Sequence, residues 1–443
     1  MRTPFTIFTA LSMVSVGATA TPPNFSSDLQ AVGANGVQDA IGFLVGSVCP
    51  RGVPGLGGDL IGVQDPDFQD RCTDIVVAGV PAVAGTDPAA AREGLQSMAS
   101  EENSAVASTE VDFSGEHQGR IGKRMANLRA GMPSNTVALV GIPLAGGNAG
   151  AGMGRWSAFV DGTYGDGDKD GTSLETGFDL DSRGVTVGLD YQSDARTVIG
   201  IAVGYTDLEA DLSNNAGELD TDSVGVFLYG TYFGSGNWYL DGVLGYTRND
   251  HDQERRLDYT IGATPVDQVA SSSNDSDELS VGLTAGYNLS GGAWNLSPYG
   301  RIDYADVDID GYRERMSNPG APGNGLAVQI DDQDYQSLTL ALGLSAYTEW
   351  QGNGILWVPQ LTAEYVHEFD NDNEDITGSF ASEVTGTKFT IPTEEPDRNY
   401  FNVGVGFTGF VGDATSVYVQ YSSQLGYRDQ DLNQYKLGLR VDF

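Results

Sequence analysis

The sequence predicts an all-β fold: a twelve-stranded antiparallel transmembrane β-barrel, with an N-terminal pore helix and a small, partly helical N-terminal region. Three observations carry that prediction. First, Tyr435, Leu437, Leu439, Val441 and Phe443 alternate with Lys436, Gly438, Arg440 and Asp442, so one face of a terminal strand is apolar and the other polar. Second, the same half-apolar stripe recurs along the chain from about Gly154, twelve times in all. Third, the connections alternate between long acidic segments and short turns, an asymmetry expected of barrels that cross an outer membrane.

Taken in order, the first element is an export signal. Arg2 is followed by an uncharged, mostly apolar run from Pro4 to Val16 and by Ala18-Thr19-Ala20, so cleavage is expected between Ala20 and Thr21. Neither that run nor any later one is long and apolar enough to span a bilayer as a helix, which leaves strands to do so. Residues 21–105 form a small region in which Ala31–Val48 and Pro88–Ser100 read as helices, with Gly/Pro-rich coil between. Cys49 and Cys72 are the chain's two cysteines, and in an exported chain they are expected to pair. Such a bridge closes a loop of about 24 residues and contributes about 3 kcal/mol on the chain-entropy model.

The segment 106–153 carries the next element. Arg120, Lys123, Arg124 and Arg129 cluster there, Ile121, Met125 and Leu128 recur at helical spacing, and Gly131 with Pro133 stops the helix. A basic helix preceding an acidic barrel suggests a plug; an amphipathic linker helix lying outside the barrel accounts for the same residues.

The barrel occupies 154–443. Its outward stripes include Val185, Val187, Leu189; Ile199, Ile201, Val203; Val224, Val226, Leu228; and Leu338, Leu340, Leu342, Leu344, with Tyr and Trp repeatedly at strand ends, as in aromatic girdles. Long connections are expected at 165–184, 207–222, 248–278, 305–336, 366–399 and 423–434, and short turns between them. An even strand count puts both barrel ends on the short-turn, periplasmic rim. The inward stripes carry Asp161, Asp190, Asp241, Asp303, Glu364 and Asp442, with Arg301, Lys436 and Arg440. A net charge of −38 argues against nucleic-acid binding, which needs clustered Lys and Arg, and fits a cell-surface or high-salt setting.

Several of these stripes resemble the β-domain of type V autotransporters: Trp156-Ser157-Ala158-Phe159-Val160-Asp161-Gly162, Gly184-Val185-Thr186-Val187-Gly188-Leu189-Asp190-Tyr191, Gly200-Ile201-Ala202-Val203-Gly204-Tyr205, and Trp238 to Tyr246 followed by Arg255-Arg256. The resemblance covers about 155–443. It implies a twelve-stranded barrel in the outer-membrane lipid with a helix threading the pore, an N-terminal passenger that is exported or anchored, and a C-terminal strand ending in an aromatic, here Phe443, that the outer-membrane assembly machinery reads. Two features depart from the family. The segment ahead of the barrel is far shorter than a typical β-helical passenger, and Asn127 is followed by Leu128 where some relatives cut themselves at an Asn-Asn pair, so the N-terminal region is expected to stay attached.

No catalytic, cofactor or metal residue is assigned. Asp166, Asp168, Asp170 and Gly171 have the opening spacing of a calcium loop, but position twelve is Gly177 and Glu175 comes two residues early. With Asp370, Asp372, Glu374 and Asp375, these are expected to be solvated acidic loops capable of weak divalent-cation binding. Neither G-x-S-x-G nor H-E-x-x-H occurs. His117 precedes the pore helix, and His251 beside Asp252 and His367 near Asp370 are expected in loops, where they could mimic a loop-borne protease site. The expected function is non-catalytic: translocation or anchoring of the chain's own short N-terminal region at the cell surface, for an unknown surface ligand. A plugged porin-like or structural protein with a periplasmic N-terminal region, silent until 119–131 are removed, is the alternative, and a loop-mediated adhesin is a third.

Overall fold

A computed structural model describes residues 35–48, 65–79, 87–99, 121, 122, 125, 155–292, 294–370, 375–382, 388–394, 397–411 and 415–442. Twelve long strands build the wall: β1 (Trp156–Lys169), β2 (Phe178–Gln192), β3 (Thr197–Leu212), β4 (Gly217–Phe233), β5 (Trp238–Ile261), β6 (Thr264–Tyr287), β7 (Trp294–Ile309), β8 (Gln333–Tyr347), β9 (Ile355–Glu368), β10 (Asn399–Val411), β11 (Thr415–Leu425) and β12 (Gln430–Asp442). Each pairs antiparallel with its neighbour in sequence, and β1 closes on β12 from Ser157 opposite Asp442 to Lys169 opposite Gln430. Closure matters because no water in the lipid core can satisfy an open strand edge. Among the described residues no helix is long and apolar enough to cross a membrane.

Alternation decides which way each side chain points. Val185, Val187 and Leu189, Ile199, Ile201 and Val203, and Leu437, Leu439 and Val441 are exposed on the outer face, while Asp190, Thr206, Asp241, Lys436 and Arg440 are buried inside. Large inward aromatics lie over glycines of the next strand: Tyr229 over Gly200, Phe159 over Gly188, Tyr239 over Gly286. A β-carbon at any of those glycines would occupy the ring's place. Turns on the Trp156 side are tight; Asn353 and Gly354, at φ 55° and 78°, form the two-residue hairpin turn that favours Asn-Gly.

On the opposite side the expected loops are largely sheet. β5 and β6 each run 24 residues, more than twice the roughly 9–11 that span a bilayer, and their ladder continues to Ile261 opposite Thr264. The segment 248–278 is therefore a ribbon rather than a loop. Both of its faces are polar through most of its length, so the apolar stripe that marks a strand disappears while the backbone hydrogen bonds persist. Asp166 and Asp168 are likewise paired inside β1, opposite Asp181 and Asp179, so the first half of the expected solvated acidic loop is strand. Beyond the wall, short strands at Tyr312–Arg313, Val328–Ile330, Ile376–Phe380 and Phe389–Ile391 form a separate four-stranded sheet.

Among the described residues the wall is preceded by the helices α1 (Gly36–Val48), α2 (Pro66–Gly79) and α3 (Pro88–Met98), and by helical residues at 121, 122 and 125. Asn35 and Gln38 form a reciprocal cap at the start of α1, Gln38 N–H donating to Asn35 Oδ1 at 2.7 Å and Asn35 N–H to Gln38 Oε1 at 3.2 Å. The helix α2 replaces coil expected there. Its signals are Pro66 in the first turn, Asp65 Oδ1 accepting from Phe68 N–H at 3.0 Å, and Phe68, Cys72, Ile75 and Val76 on one buried face.

A collar of carboxylates rings the outer surface of the extended strands. Asp181 stands opposite Glu209, Glu209 opposite Asp220, Asp220 opposite Asp252, and Asp222 opposite both Asp207 and Asp250. Like charges directly opposed across strands are destabilising by about 0.2–1 kcal/mol each. Partial desolvation, then the charges of Glu218, Glu209, Asp207 and Asp252, push the Asp220 carboxyl up to about 6 from an ordinary 3.8. A group whose pKa is raised by folding stabilises the fold when protonated, so this contribution is full below 3.8 and is lost as pH rises through about 6. Amide exchange across 207–222, corrected for intrinsic rates, is therefore expected to be slower at pH 5 than at pH 7.5, and Asp220→Asn to shrink the difference.

Candidate functional site

The polar interior of the wall is organised by hydrogen bonds between strands. Asp190 on β2 accepts from Ser157 Oγ at 2.8 Å and from the Tyr229 hydroxyl, and Thr231 Oγ1 donates to Asp241 at 2.6 Å. Across the lumen, Arg301 on β7 donates through Nε to Asp303 at 2.6 Å and through Nη1 to Glu364 of β9 at 2.8 Å, while Tyr299 donates to the same Glu364 oxygen at 2.6 Å. Arg440 pairs with Asp442 at 2.7 Å. The residues expected to face inward all do so.

Into this lumen comes a piece of the chain that precedes the wall. Ile121 and Met125 are helical and buried, 1 % and 2 % exposed, in one cluster with Phe159, Ala202, Phe227, Tyr229 and Val243. Those wall residues belong to β1, β3, β4 and β5, so the helical residues rest on one side of the interior. The basic residues expected on this helix, Arg120, Lys123, Arg124 and Arg129, lie outside the described residues, as do the cleavage pair Ala20 and Thr21, Cys49, His117 and Phe443.

The three N-terminal helices sit at the other end of the molecule, on the side of the long connections. Val37, Ile41, Val45, Phe68, Ile75, Leu95 and Met98 form one buried core with Leu257, Tyr259, Ile261 and Val266 of the β5–β6 ribbon and with Leu326, Val328, Ile330, Ile376, Phe380 and Phe389 of the outer sheet. Phe68 meets Phe380 edge to face, ring centres 4.5 Å apart. The ribbon residues are on the same face as Tyr239 and Asp241, so the helices rest on the upward continuation of the luminal surface. Polar contacts fix the docking. Gln96 Oε1 on α3 accepts from Asn35 Nδ2 and Gln38 Nε2, each at 2.9 Å, and Asp67 Oδ2 on α2 accepts from Gly323 and Gly325 N–H at 2.8 and 2.9 Å.

At the centre of that docking is a buried ion pair. Arg255 donates to Glu314 through Nε at 2.8 Å and Nη2 at 2.6 Å, with side chains only 3 % and 1 % exposed. Arg255 also donates to Ser97 O at the end of α3 and to Leu326 O, and Glu314 accepts from Val328 N–H at 2.8 Å. One guanidinium thus joins the ribbon, the outer sheet and the N-terminal helices. Sequence reasoning noted Arg255-Arg256 as a motif but gave it no role; counting alternation onward from Tyr239 puts Arg255 on the inward face.

The two described histidines both lie in strands. His251 lies in β5, not in a loop, with Nδ1 2.9 Å from Thr221 Oγ1 and Nε2 3.1 Å from Ser276 Oγ, on the face opposite the exposed Asp252. His367 lies in β9, Nδ1 2.9 Å from Asn399 Oδ1 and its ring against Phe369. Of the expected acidic loop groups, Asp372 and Glu374 lie outside the described residues. Glu175 is buried, paired with Lys169 and accepting from Glu394 N–H at 2.9 Å, which ties the β1–β2 connection to the segment before β10.

A family model described as Autotransporter beta-domain matches residues 158–422. The chain is 26 % identical over 319 residues to the putative uncharacterized protein YaiT of Escherichia coli, covering 66 % of this chain and 29 % of YaiT. It is 27 % identical over 298 residues to Esterase EstA of Pseudomonas aeruginosa, covering 66 % and 43 % respectively. It therefore spans less than half the length of either relative. Among solved structures, the translocator domain of autotransporter NalP from Neisseria meningitidis shares the fold with a TM-score of 0.53 at 17 % identity, covering 76 % of this chain and 99 % of that one.

Removing one member of a buried ion pair costs about 3–5 kcal/mol because the other charge is left in low dielectric. Arg255→Met is thus expected to undock the helices while the wall, whose hydrogen bonds it does not touch, still assembles. Limited proteolysis in detergent should release fragments ending before residue 120 from the variant and not from the wild type.

Proposed function

We propose that this chain, which belongs to the autotransporter β-domain family and is an integral outer-membrane protein, carries its own N-terminal region through the lumen and keeps it on the cell surface as a folded, non-catalytic cap. The observation that carries this reading is a placement: Ile121 and Met125 are inside the barrel, α1–α3 are packed on the ribbon side, and β1 begins at Trp156 on the short-turn rim. A chain so arranged runs from the ribbon side, through the pore, to the start of the wall.

Retention is supported by the extent of the docking and by Asn127-Leu128, which lacks a second Asn. A Cys49–Cys72 disulfide is part of the proposal: Cys72 is 1 % exposed within the helical core, Cys49 directly follows the last residue of α1, and no described cysteine is free. Export through a signal peptide cut after Ala20, and recognition by the assembly machinery of the stripe Tyr435, Leu437, Leu439, Val441 and Phe443, complete it. The name of EstA assigns that relative an esterase activity. For this chain a non-catalytic cap is favoured by the environments of His251 and His367 and by the absence of a G-x-S-x-G elbow from the sequence.

The test is sidedness. An epitope inserted between Pro81 and Gly85, in the connection from α2 to α3, is expected to be lost when intact cells are treated with external protease, with the C-terminal part of the chain remaining in the outer-membrane fraction. Protection until the envelope is broken contradicts display, and recovery of the epitope in the medium contradicts retention.

A further inference from the structure

The carboxylate collar does not close around the wall. On β1, β3, β5 and β7 the outward residue four positions beyond the girdle tyrosine, toward the ribbon side, is a carboxylate: Asp168 after Tyr164, Glu209 after Tyr205, Asp250 after Tyr246 and Asp308 after Tyr304. The same count on β9 and β11 reaches Phe369 after Tyr365 and Leu425 after Tyr421, and Phe401 of β10 pairs with both Tyr365 and Leu425. Phe369, Phe401 and Leu425 are 54 %, 52 % and 46 % exposed. The tyrosine hydroxyls follow the same division. Tyr164, Tyr205 and Tyr246 donate to Asp181, Asp222 and Asp277, whereas Tyr365 and Tyr421 donate to the neutral Asn399 and Asn433. Among the described residues, Asp370 and Asp397 stand at the outer edge of this aromatic sector. Asp370 is half-buried. The Asp397 side chain is 14 % exposed and paired with Arg428, which donates to it through Nε at 3.2 Å and Nη2 at 2.5 Å and is itself 79 % exposed.

We propose that the uncharged sector of β9–β11 is a boundary-lipid site for an anionic, phosphate-bearing lipid of the outer leaflet: its acyl chains lie against Phe369, Phe401 and Leu425, and Arg428 receives its phosphate. Girdle tyrosines mark the head-group level, and apolar surface standing beyond them is costly unless an acyl chain covers it. Phosphate is matched by the planar donors of a guanidinium. Along β1 to β7 the collar presents like charge at that level, so anionic lipids are held off there by repulsion. The same charge argues against a second copy of the chain as the occupant. Such a copy would set its own collar against Asp334 and Asp431, exposed on β8 and β12 at either side of the sector, whereas a lipid phosphate meets a cation.

The full-length chain, reconstituted in vesicles of phosphatidylcholine with about one-fifth phosphatidylglycerol, tests this. A bimane label is placed at Ser423→Cys, two positions beyond Tyr421, or at Asp207→Cys, two positions beyond Tyr205. Its quenching by acyl-brominated phosphatidylglycerol is compared with that by acyl-brominated phosphatidylcholine at the same bromine content. At Ser423→Cys the anionic lipid is expected to quench about two- to fivefold more strongly, the enrichment that one surface arginine gives. Arg428→Gln is expected to remove that preference while quenching by phosphatidylcholine persists, and at Asp207→Cys the preference is expected to reverse. Should either labelled variant fail to assemble, Leu425→Cys and Glu209→Cys carry the same expectations. Equal quenching by the two lipids in the β9–β11 sector, or a preference that survives Arg428→Gln, overturns the proposal. Weak quenching by both lipids there overturns it as well, and a doubled mass in detergent would then assign the sector to a second copy.

Discussion

Closure of the hydrogen-bonded wall is the constraint from which the rest follows. In lipid each unsatisfied backbone group costs several kcal/mol, so β1 must pair with β12 along its whole length, and it does. Twelve strands is an even number, which returns the chain to the rim it left. Trp156 and Asp442 consequently share the short-turn side, while α1–α3 are docked on the ribbon side. Ile121 and Met125, which fall between those helices and Trp156 in sequence, are buried inside the closed wall.

Different forces hold the three levels of the molecule. At the lipid level, outward aliphatic stripes and inward polar pairs are both satisfied by simple alternation. In the collar above, alternation works against stability, because carboxylates such as Glu209, Asp220 and Asp252 stand side by side on adjacent strands. Each opposition is worth at most about 1 kcal/mol and is screened by salt, whereas the ladder beneath it is continuous. The ladder wins, and the inner face of the same ribbon adds the apolar core shared with the helices. There a single buried pair, Arg255 with Glu314, is satisfied by two further carbonyl acceptors and one amide donor, so its desolvation is compensated locally.

What the sequence made legible was whatever sets a period-two pattern against lipid. Stripes such as Ile199, Ile201, Val203 and Leu437, Leu439, Val441 identify their strands because one face must be apolar. Past the membrane that requirement lapses, and 248–261, polar on both faces for most of its length, reads as loop although it is sheet. The same lapse makes Asp166 and Asp168 read as a solvated acidic loop and His251 as part of a connection. The helix α2 was missed because Gly/Pro-rich flanks dominate its surroundings, although Asp65-Pro66 marks its start. Arg255, Glu314 and Asp67 join segments far apart in sequence; no local pattern announces such contacts, and they emerge only when the ribbon is folded over the mouth.

A photo-crosslink reads the threading of the lumen directly. With p-benzoylphenylalanine in place of Gly122, where the structure leaves open space, irradiation of intact cells is predicted to join that residue to wall strands of its own chain, in peptides that include Phe159 or Phe227–Val243. Adducts confined to other envelope proteins, with none to the barrel wall, would contradict it.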